Sequence, residues 1–168
     1  SYQPLKLENY QLFKMKIYSL NRSISIPVSK PEAWNFFSNP HNLSVITPKS
    51  MNFKVLKVDS DKIYDGQHIH YKVSPLFGIN MNWTSLISGV VEQKCFTDTQ
   101  VNGPYKYWHH KHIFEKISGG IKIIDKVNYG IPFGPIGDIF HPILVKNKLD
   151  YIFGYRNSKI KEIFGEIK

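Results

Sequence analysis

From residue 53 onward, apolar and polar positions alternate with a period of two; after residue 145 they recur every three or four residues. Strand side chains point alternately to opposite faces, and helical ones return to a face every third or fourth residue. The chain therefore reads as a run of strands followed by one long helix. An earlier strand over 16–27 carries Ile17, Tyr18, Leu20, Ile24 and Ile26. Ser29 then suits a helix N-cap, with Pro31 and Glu32 in the first turn. Residues 33–38 form a short apolar helix that Asn39-Pro40 breaks, and 41–46 form a second that Thr47-Pro48 closes.

The alternating region divides at turn signals. Phe53, Val55 and Lys57 alternate with Lys54, Leu56 and Val58, and Asp65-Gly66 marks a turn. Residues 67–74 put Ile69, Tyr71 and Val73 on one face and His68, His70 and Lys72 on the other. A loop over 75–78 leads to a long strand, 80–93, that carries Trp83. Strands 95–101 and 106–114 are joined by Asn102-Gly103-Pro104. Ser118-Gly119-Gly120 is a tight turn into 121–131, whose odd-numbered residues Ile121, Ile123, Asp125, Val127, Tyr129 and Ile131 share a face. Pro132-Phe133-Gly134-Pro135 interrupts the strands and suits a rim or hinge. Val145, Leu149, Ile152, Phe153, Ile160, Ile163 and Phe164, with Lys and Glu between them, form the apolar stripe of an amphipathic helix.

One helix cannot cover both faces of a sheet, so the sheet must curl around it and leave its outer face in water. The expected fold class is α+β: a curved antiparallel sheet of about seven strands wrapped around a long C-terminal helix, with two short helices after strand 1. Residues 1–15 read as an N-terminal extension and 16–168 as a single domain, a size that supports one core.

Composition changes this picture little. Hydrophobic residues make up 42% of the 168, and aromatics are high at 14%. No apolar run of about 18 residues is present, so no transmembrane helix is expected. The single cysteine, Cys95, excludes an intrachain disulfide and suits a reducing compartment, which makes cytoplasm the expected location. The net charge is +9. Its lysines are spread along the chain and arginine occurs only at 22 and 156, so a clustered nucleic-acid footprint is missing. A weak contact with an anionic ligand or membrane surface fits this charge better.

The candidate chemistry lies in 103–114, Gly-Pro-Tyr-Lys-Tyr-Trp-His-His-Lys-His-Ile-Phe. On a strand, Trp108, His110, His112 and Phe114 share one face, and His109 turns outward. The hairpin at 118–120 places Asp125 opposite or diagonal to His112. Phe96, Asp98 and Gln100 fall on the same inner face. One concave surface then holds Tyr71, Trp83, Asp98, Gln100, Trp108, His110, His112, Asp125 and Tyr129. Carboxylates beside imidazoles in an apolar wall perturb one another's pKa, as acid/base sites require; a purely structural Asp–His network does the same. His110 and His112 could share a metal with Asp98 or Asp125, but an i, i+2 pair lacks the specificity of a recognised metal motif, so no metal is expected. His68 and His70 repeat that spacing toward solvent. Cys95 has no evident histidine partner, no glycine-rich phosphate loop occurs, and no cofactor is expected. The Trp34, Phe36 and Phe37 cluster reads as core.

The order of elements, with Ala33-Trp34-Asn35-Phe36-Phe37-Ser38-Asn39-Pro40-His41-Asn42-Leu43, Ile46-Thr47-Pro48 and Tyr64-Asp65-Gly66, resembles an uncharacterised bacterial branch of the SRPBCC superfamily, the START and birch-pollen-allergen group. Pro75-Leu76-Phe77-Gly78-Ile79, Trp83, Phe96-Thr97-Asp98-Thr99-Gln100, Gly103-Pro104-Tyr105, Trp108-His109-His110, His112-x-Phe114, Asp125-x-Val127-x-Tyr129 and Pro132-Phe133-Gly134 add to the likeness. It implies a helix-grip fold and a groove under the helix that takes sterols, phospholipids, quinones, hormones or polyketides; some members are cyclases or aromatases. No catalytic motif transfers, and one fold carries many functions. The leading expectation is binding of a small hydrophobic or amphipathic ligand (lipid, quinone or polyketide-like), with Tyr71, Trp83, Gln100, Trp108, His110, His112, Asp125 and Tyr129 as its walls. A cyclase/dehydratase using His110 or His112 with Asp125 or Asp98 is the alternative. A protein-interaction module whose cavity is filled by side chains is a third.

Overall fold

In the computed structural model, which describes residues 15–75 and 78–167, seven strands form one antiparallel sheet. They are β1 (Tyr18–Ile26), β2 (Lys54–Lys57), β3 (His68–Val73), β4 (Met81–Val91), β5 (Cys95–Asn102), β6 (Tyr107–Ile117) and β7 (Gly120–Gly130). Their order is β1-β7-β6-β5-β4-β3-β2. The last six strands form a meander, and β1 returns to pair with β7, from Tyr18 opposite Tyr129 to Ile26 opposite Ile121. All but Met15 of the N-terminal extension, and Leu76 and Phe77 of the 75–78 loop, lie outside the described residues.

Between β1 and β2 lies helix α1 (Lys30–Phe37), whose N-cap Ser29 accepts a hydrogen bond from the Glu32 backbone N–H at 3.3 Å. The second short helix, expected over 41–46, is a 3₁₀ turn at Pro40–Ser44, with Asn39 accepting from the His41 N–H at 2.9 Å. A short β2 replaces the longer alternation read over 53–58, because its pairing with β3 shifts register between Val55 and Lys57.

The inner and outer faces follow the alternation. On β7, Ile121, Ile123, Asp125, Val127 and Tyr129 are buried; on β6, Trp108, His110, His112 and Phe114 are buried while Lys111 is exposed. The tight turn between these strands uses Gly119 at φ 78°, a conformation that L side chains resist.

After β7 come helix α2 (Gly134–Phe140), a π-helical turn (His141–Lys146) and helix α3 (Asn147–Phe164). The break expected at 132–135 is therefore short, and helix resumes at Gly134. Leu149, Phe153 and Ile160 of the expected stripe are buried. Ile163 is not: it is 41% exposed near the end of α3. Arg156 takes a place on the buried stripe instead.

The core has three parts. Trp34 of α1 meets Phe96 and Phe114 edge-on, with ring centroids at 5.9 and 5.4 Å, in the first. Leu20, Trp108, Val127 and Tyr129 pack against Leu149 and Phe153 of α3 in the second. Ile69, Tyr71 and Ile87 form the third, under β3 and β4. No helix among the described residues is long and apolar enough to cross a membrane.

Candidate functional site

Four elements bring charged or polar side chains to the middle of the inner face. On β6, His110 and His112 are two apart and project together. Antiparallel pairing sets Asp125 of β7 opposite His112, and Asp98 of β5 opposite His110. From the other side, α3 presents Arg156 one turn beyond Phe153 and one before Ile160, on the same buried stripe.

Asp125 is the hub. His110 Nε2 lies 2.9 Å from its Oδ1, and because an ionised carboxylate can only accept, the imidazole donates. His112 Nδ1 lies 3.1 Å from the same oxygen, at ion-pair distance but without a hydrogen bond's alignment, and Arg156 Nη2 lies at 3.4 Å. His110, His112, Asp125 and Arg156 retain only 4, 6, 2 and 6% of their exposure. The two imidazole rings are 3.8 Å apart between centroids; His112 also stacks on Phe96 at 4.2 Å, and the Arg156 guanidinium lies over Phe37 and Phe153 at 5.6 and 5.8 Å.

These surroundings separate the protonation states. Burial pushes the Asp125 carboxyl up, but the Arg156 charge and the two histidines outweigh it and hold the group well below the usual carboxylate range. Burial, reinforced by His110, pushes His112 down to about 3, so its ring is neutral at ordinary pH. Asp98 is raised by burial, which the charges of His110 and Arg156 and a hydrogen bond from Ser85 only partly offset. Burial also raises Tyr71 well above the usual phenol value, with Asp98 adding to it. The centre thus combines a firm ion pair, Arg156 with Asp125, and a carboxyl, Asp98, biased toward its neutral form.

A cavity of about 130 Å³ lies between sheet and α3 and draws its walls from all three parts of the core, Trp108 and Phe153, Tyr71 and Phe53, and Ile46. A smaller one of about 60 Å³ lies toward α1. Asp98, His110, Arg156 and Tyr71 border both, so the polar cluster stands between them. Three buried polar atoms on residues lining the larger cavity have no hydrogen-bond partner among the described residues: Asp98 Oδ1, Trp108 Nε1 and Arg156 Nε. Most buried polar groups are satisfied, and leaving one unpaired costs roughly 1–3 kcal/mol. Three at one cavity are a concentration of unspent hydrogen-bonding capacity.

The residues singled out from sequence separate into groups. Tyr71, Asp98 and His110 border both cavities, Trp83 and Trp108 the larger, and His112 the smaller. Asp125 stands behind the histidines and borders neither. Gln100 turns away: its Nε2 donates to the Tyr105 carbonyl at 2.7 Å and its Oε1 accepts from the Tyr105 N–H at 3.2 Å, which locks the β5–β6 turn. Tyr129 also borders neither cavity, its hydroxyl lying 2.8 Å from His141 Nε2. Sequence reasoning missed Arg156, Ser85 and His141. For Arg156 a signal existed, since residues 149, 153, 156 and 160 follow helical spacing. Ser85, which accepts from Trp83 Nε1 at 3.0 Å, and His141 carried no such mark.

Asp98, His110 and His112 offer donor atoms within 4.8 Å of one another, the spacing of a three-ligand metal site. The Arg156 guanidinium already supplies positive charge at this point, and like charges in a low-dielectric interior repel strongly.

No protein-family model matches the chain, and no curated protein matches it in sequence. Solved structures do match. The KanY protein, determined by NMR, superposes with a TM-score of 0.67 at 12% identity, covering 89% of this chain and 98% of its own. Ginseng major latex-like protein 151 from Panax ginseng gives 0.64 at 13%, covering 88% and 97%. A Staphylococcus aureus protein of unknown function gives 0.64 at 10%, covering 90% and 98%. This chain therefore has an SRPBCC-type helix-grip fold, the architecture of the birch-pollen-allergen-like proteins. At such identities the likeness extends to the fold and no further.

Proposed function

We propose that the chain binds a small amphipathic molecule, a ring or short chain carrying a carbonyl and a hydroxyl, in the cavity between sheet and α3. The observation that carries this reading is the trio of unpartnered buried atoms on residues around that cavity: Trp108 Nε1 and Arg156 Nε can donate, and Asp98 Oδ1 can accept or, once protonated, donate. Apolar walls would supply affinity and the trio orientation. At about 130 Å³ the cavity suits a single ring; an engineered apolar cavity of about 150 Å³ holds benzene. Quinone or polyketide-like ligands with longer tails would need the helix to shift. A cavity of this size also gives no support to an interaction module filled by its own side chains.

The test is calorimetric titration with p-cresol, which has a ring and a hydroxyl, and with toluene, which lacks the polar group. Binding of p-cresol at least roughly tenfold tighter than toluene is expected, about 1.4 kcal/mol for the satisfied polar atoms. Trp108→Phe should narrow that gap, and Ile152→Trp, which puts an indole at the cavity from a partly exposed helix position, should remove binding of both without lowering the melting temperature. Equal binding of the two probes, or no effect of Ile152→Trp, refutes this site. Native mass spectrometry of protein from its own host would then name the resident class.

A second reading rests on His110, which borders the cavity while Asp125 holds its Nε2, the arrangement of a base and its orienting carboxylate. An enzyme of cyclase/dehydratase type would move a proton at a carbon beside a carbonyl. Deuterium exchange of cyclohexane-1,3-dione followed by NMR is expected to run faster with the protein than with buffer, and at the buffer rate with His110→Ala. Exchange at the buffer rate with the unaltered protein removes this reading and leaves the cluster a binding and structural one.

A further inference from the structure

Helix α2 buries no residue at all. Phe133, Ile136, Ile139, Phe140 and Ile143 are exposed by 81, 65, 69, 52 and 67%. Single apolar residues on a surface are ordinary, but a contiguous group marks an interaction site. Positions 136, 139, 140 and 143 are three and four residues apart, so they share one outer face, with Phe133 at the N-cap of the same segment.

The base of this segment is fixed. Tyr18 of β1 donates its hydroxyl to Asp138 Oδ1 at 2.6 Å, its ring stacks on buried His141 with centroids 3.5 Å apart, and His141 is hydrogen-bonded to Tyr129. Asp138, the one charged side chain of α2, is thereby engaged on the protein side. Two exposed lysines stand beside this anchor. Lys16 has its Nζ 4.9 Å from the Tyr18 ring, and Lys146, which also pairs with Asp150 at 2.7 Å, ends the π-helical turn; both act on the His141 ring.

We propose that the 133–143 segment docks on an anionic lipid surface, with Phe133, Ile136, Ile139 and Ile143 entering the boundary between headgroups and acyl chains and Lys16 and Lys146 meeting the headgroup charges. Apolar insertion joined to basic contact is the pairing that holds a peripheral protein on a membrane when neither suffices alone. Charge selects this occupant. A second copy of the chain on the same face would bring the lysines of both copies together, and each copy carries +9. The anchored base keeps the apolar face from folding back on the protein. This docking stands whether or not the cavity holds a ligand.

The experiment is co-sedimentation of the full chain with phosphatidylcholine vesicles, with and without phosphatidylserine. Binding is expected only with phosphatidylserine and should weaken with added salt. Ile136→Asp and Ile139→Asp, at positions 65 and 69% exposed and so with little packing to lose, should each reduce binding roughly tenfold or more. Lys146→Glu should reduce it at least roughly fivefold. Circular dichroism melts and p-cresol titration of the Asp variants should match the unaltered protein, which separates this idea from the cavity reading. No binding to phosphatidylserine vesicles overturns the proposal, as does equal binding by the Asp variants. A dimer in sedimentation equilibrium that Ile139→Asp dissolves, without vesicle binding, would make the face a self-interface. Vesicle binding that appears only after residues 1–14 are removed would make that segment its native occupant. Either result counts against the proposal.

Discussion

Replacing Arg156 with methionine is expected to lower stability at pH 7 by about 3–5 kcal/mol, a large share of what a domain of this size possesses. Methionine keeps a long apolar side chain beside Phe37 and Phe153, the rings over which the guanidinium lies, so packing alone predicts a small loss. The charge decides the outcome. Asp125 is 2% exposed, and Arg156 is the first of the groups that hold its carboxyl low. Without that guanidinium the carboxylate is left deep in the core with only two imidazoles, one of them pushed to neutrality. Its pKa must rise, and a group whose folded pKa is raised loses stability as pH climbs. The deficit should therefore be larger at pH 7 than at pH 5. Adding Asp125→Asn to Arg156→Met removes the stranded charge and should restore much of the loss. Urea unfolding of the three proteins at both pH values checks this; a single-variant loss under about 1 kcal/mol at pH 7 would show that the pair contributes little.

Acid should unfold the protein earlier than its carboxylates alone require, with His112 as the cause. In the folded state this ring is pushed down to about 3, whereas in the unfolded chain it titrates near its ordinary value of 6.5. Between those limits the unfolded state binds a proton that the folded state refuses, so stability falls as pH drops below about 6.5, at up to about 1.4 kcal/mol per pH unit. Asp125 acts in the same direction at lower pH, because its depressed carboxyl stabilises the fold above the ordinary Asp value and that contribution is lost as pH falls through the folded one. Asp98 acts oppositely, since a raised carboxyl stabilises the fold toward acid. Subtracting the stability profile of His112→Asn from that of the unaltered protein cancels both to first order. The difference should be flat above pH 7 and slope between pH 6.5 and 4. A flat difference throughout would mean that the buried imidazole accepts its proton in the fold.

Much of the candidate site is legible in the sequence because strand pairing is local. His110 and Asp125 are 15 residues apart and joined by one tight turn, so alternation and the turn at Gly119 suffice to bring them together. The same logic puts Asp98 across from His110 through the next turn. Arg156 escapes this logic, although it sits at a helical interval from Phe153 and Ile160. A lone cation on an apolar stripe looks like a flaw until a buried carboxylate is known to face it. Gln100 illustrates the reverse. Its place on the inner face is as alternation predicts, yet its amide reaches the Tyr105 backbone, because a turn with open donor and acceptor groups lies nearer than the cavity.

By itself the sequence determined the elements, their faces and the pairing of neighbouring strands, all of which depend on side-chain period and on turns a few residues long. Only the tertiary structure decided how α3 lies on the sheet, and with it the Arg156–Asp125 pair, the division of the core into three parts and the cavity where they meet. It also decided that Tyr18 and Asp138, 120 residues apart, would fix the base of α2 and leave its isoleucines facing outward. Hydrophobic burial is non-directional: it requires that apolar faces be covered without stating which groups meet, and that choice falls to packing and to the pairing of buried charges.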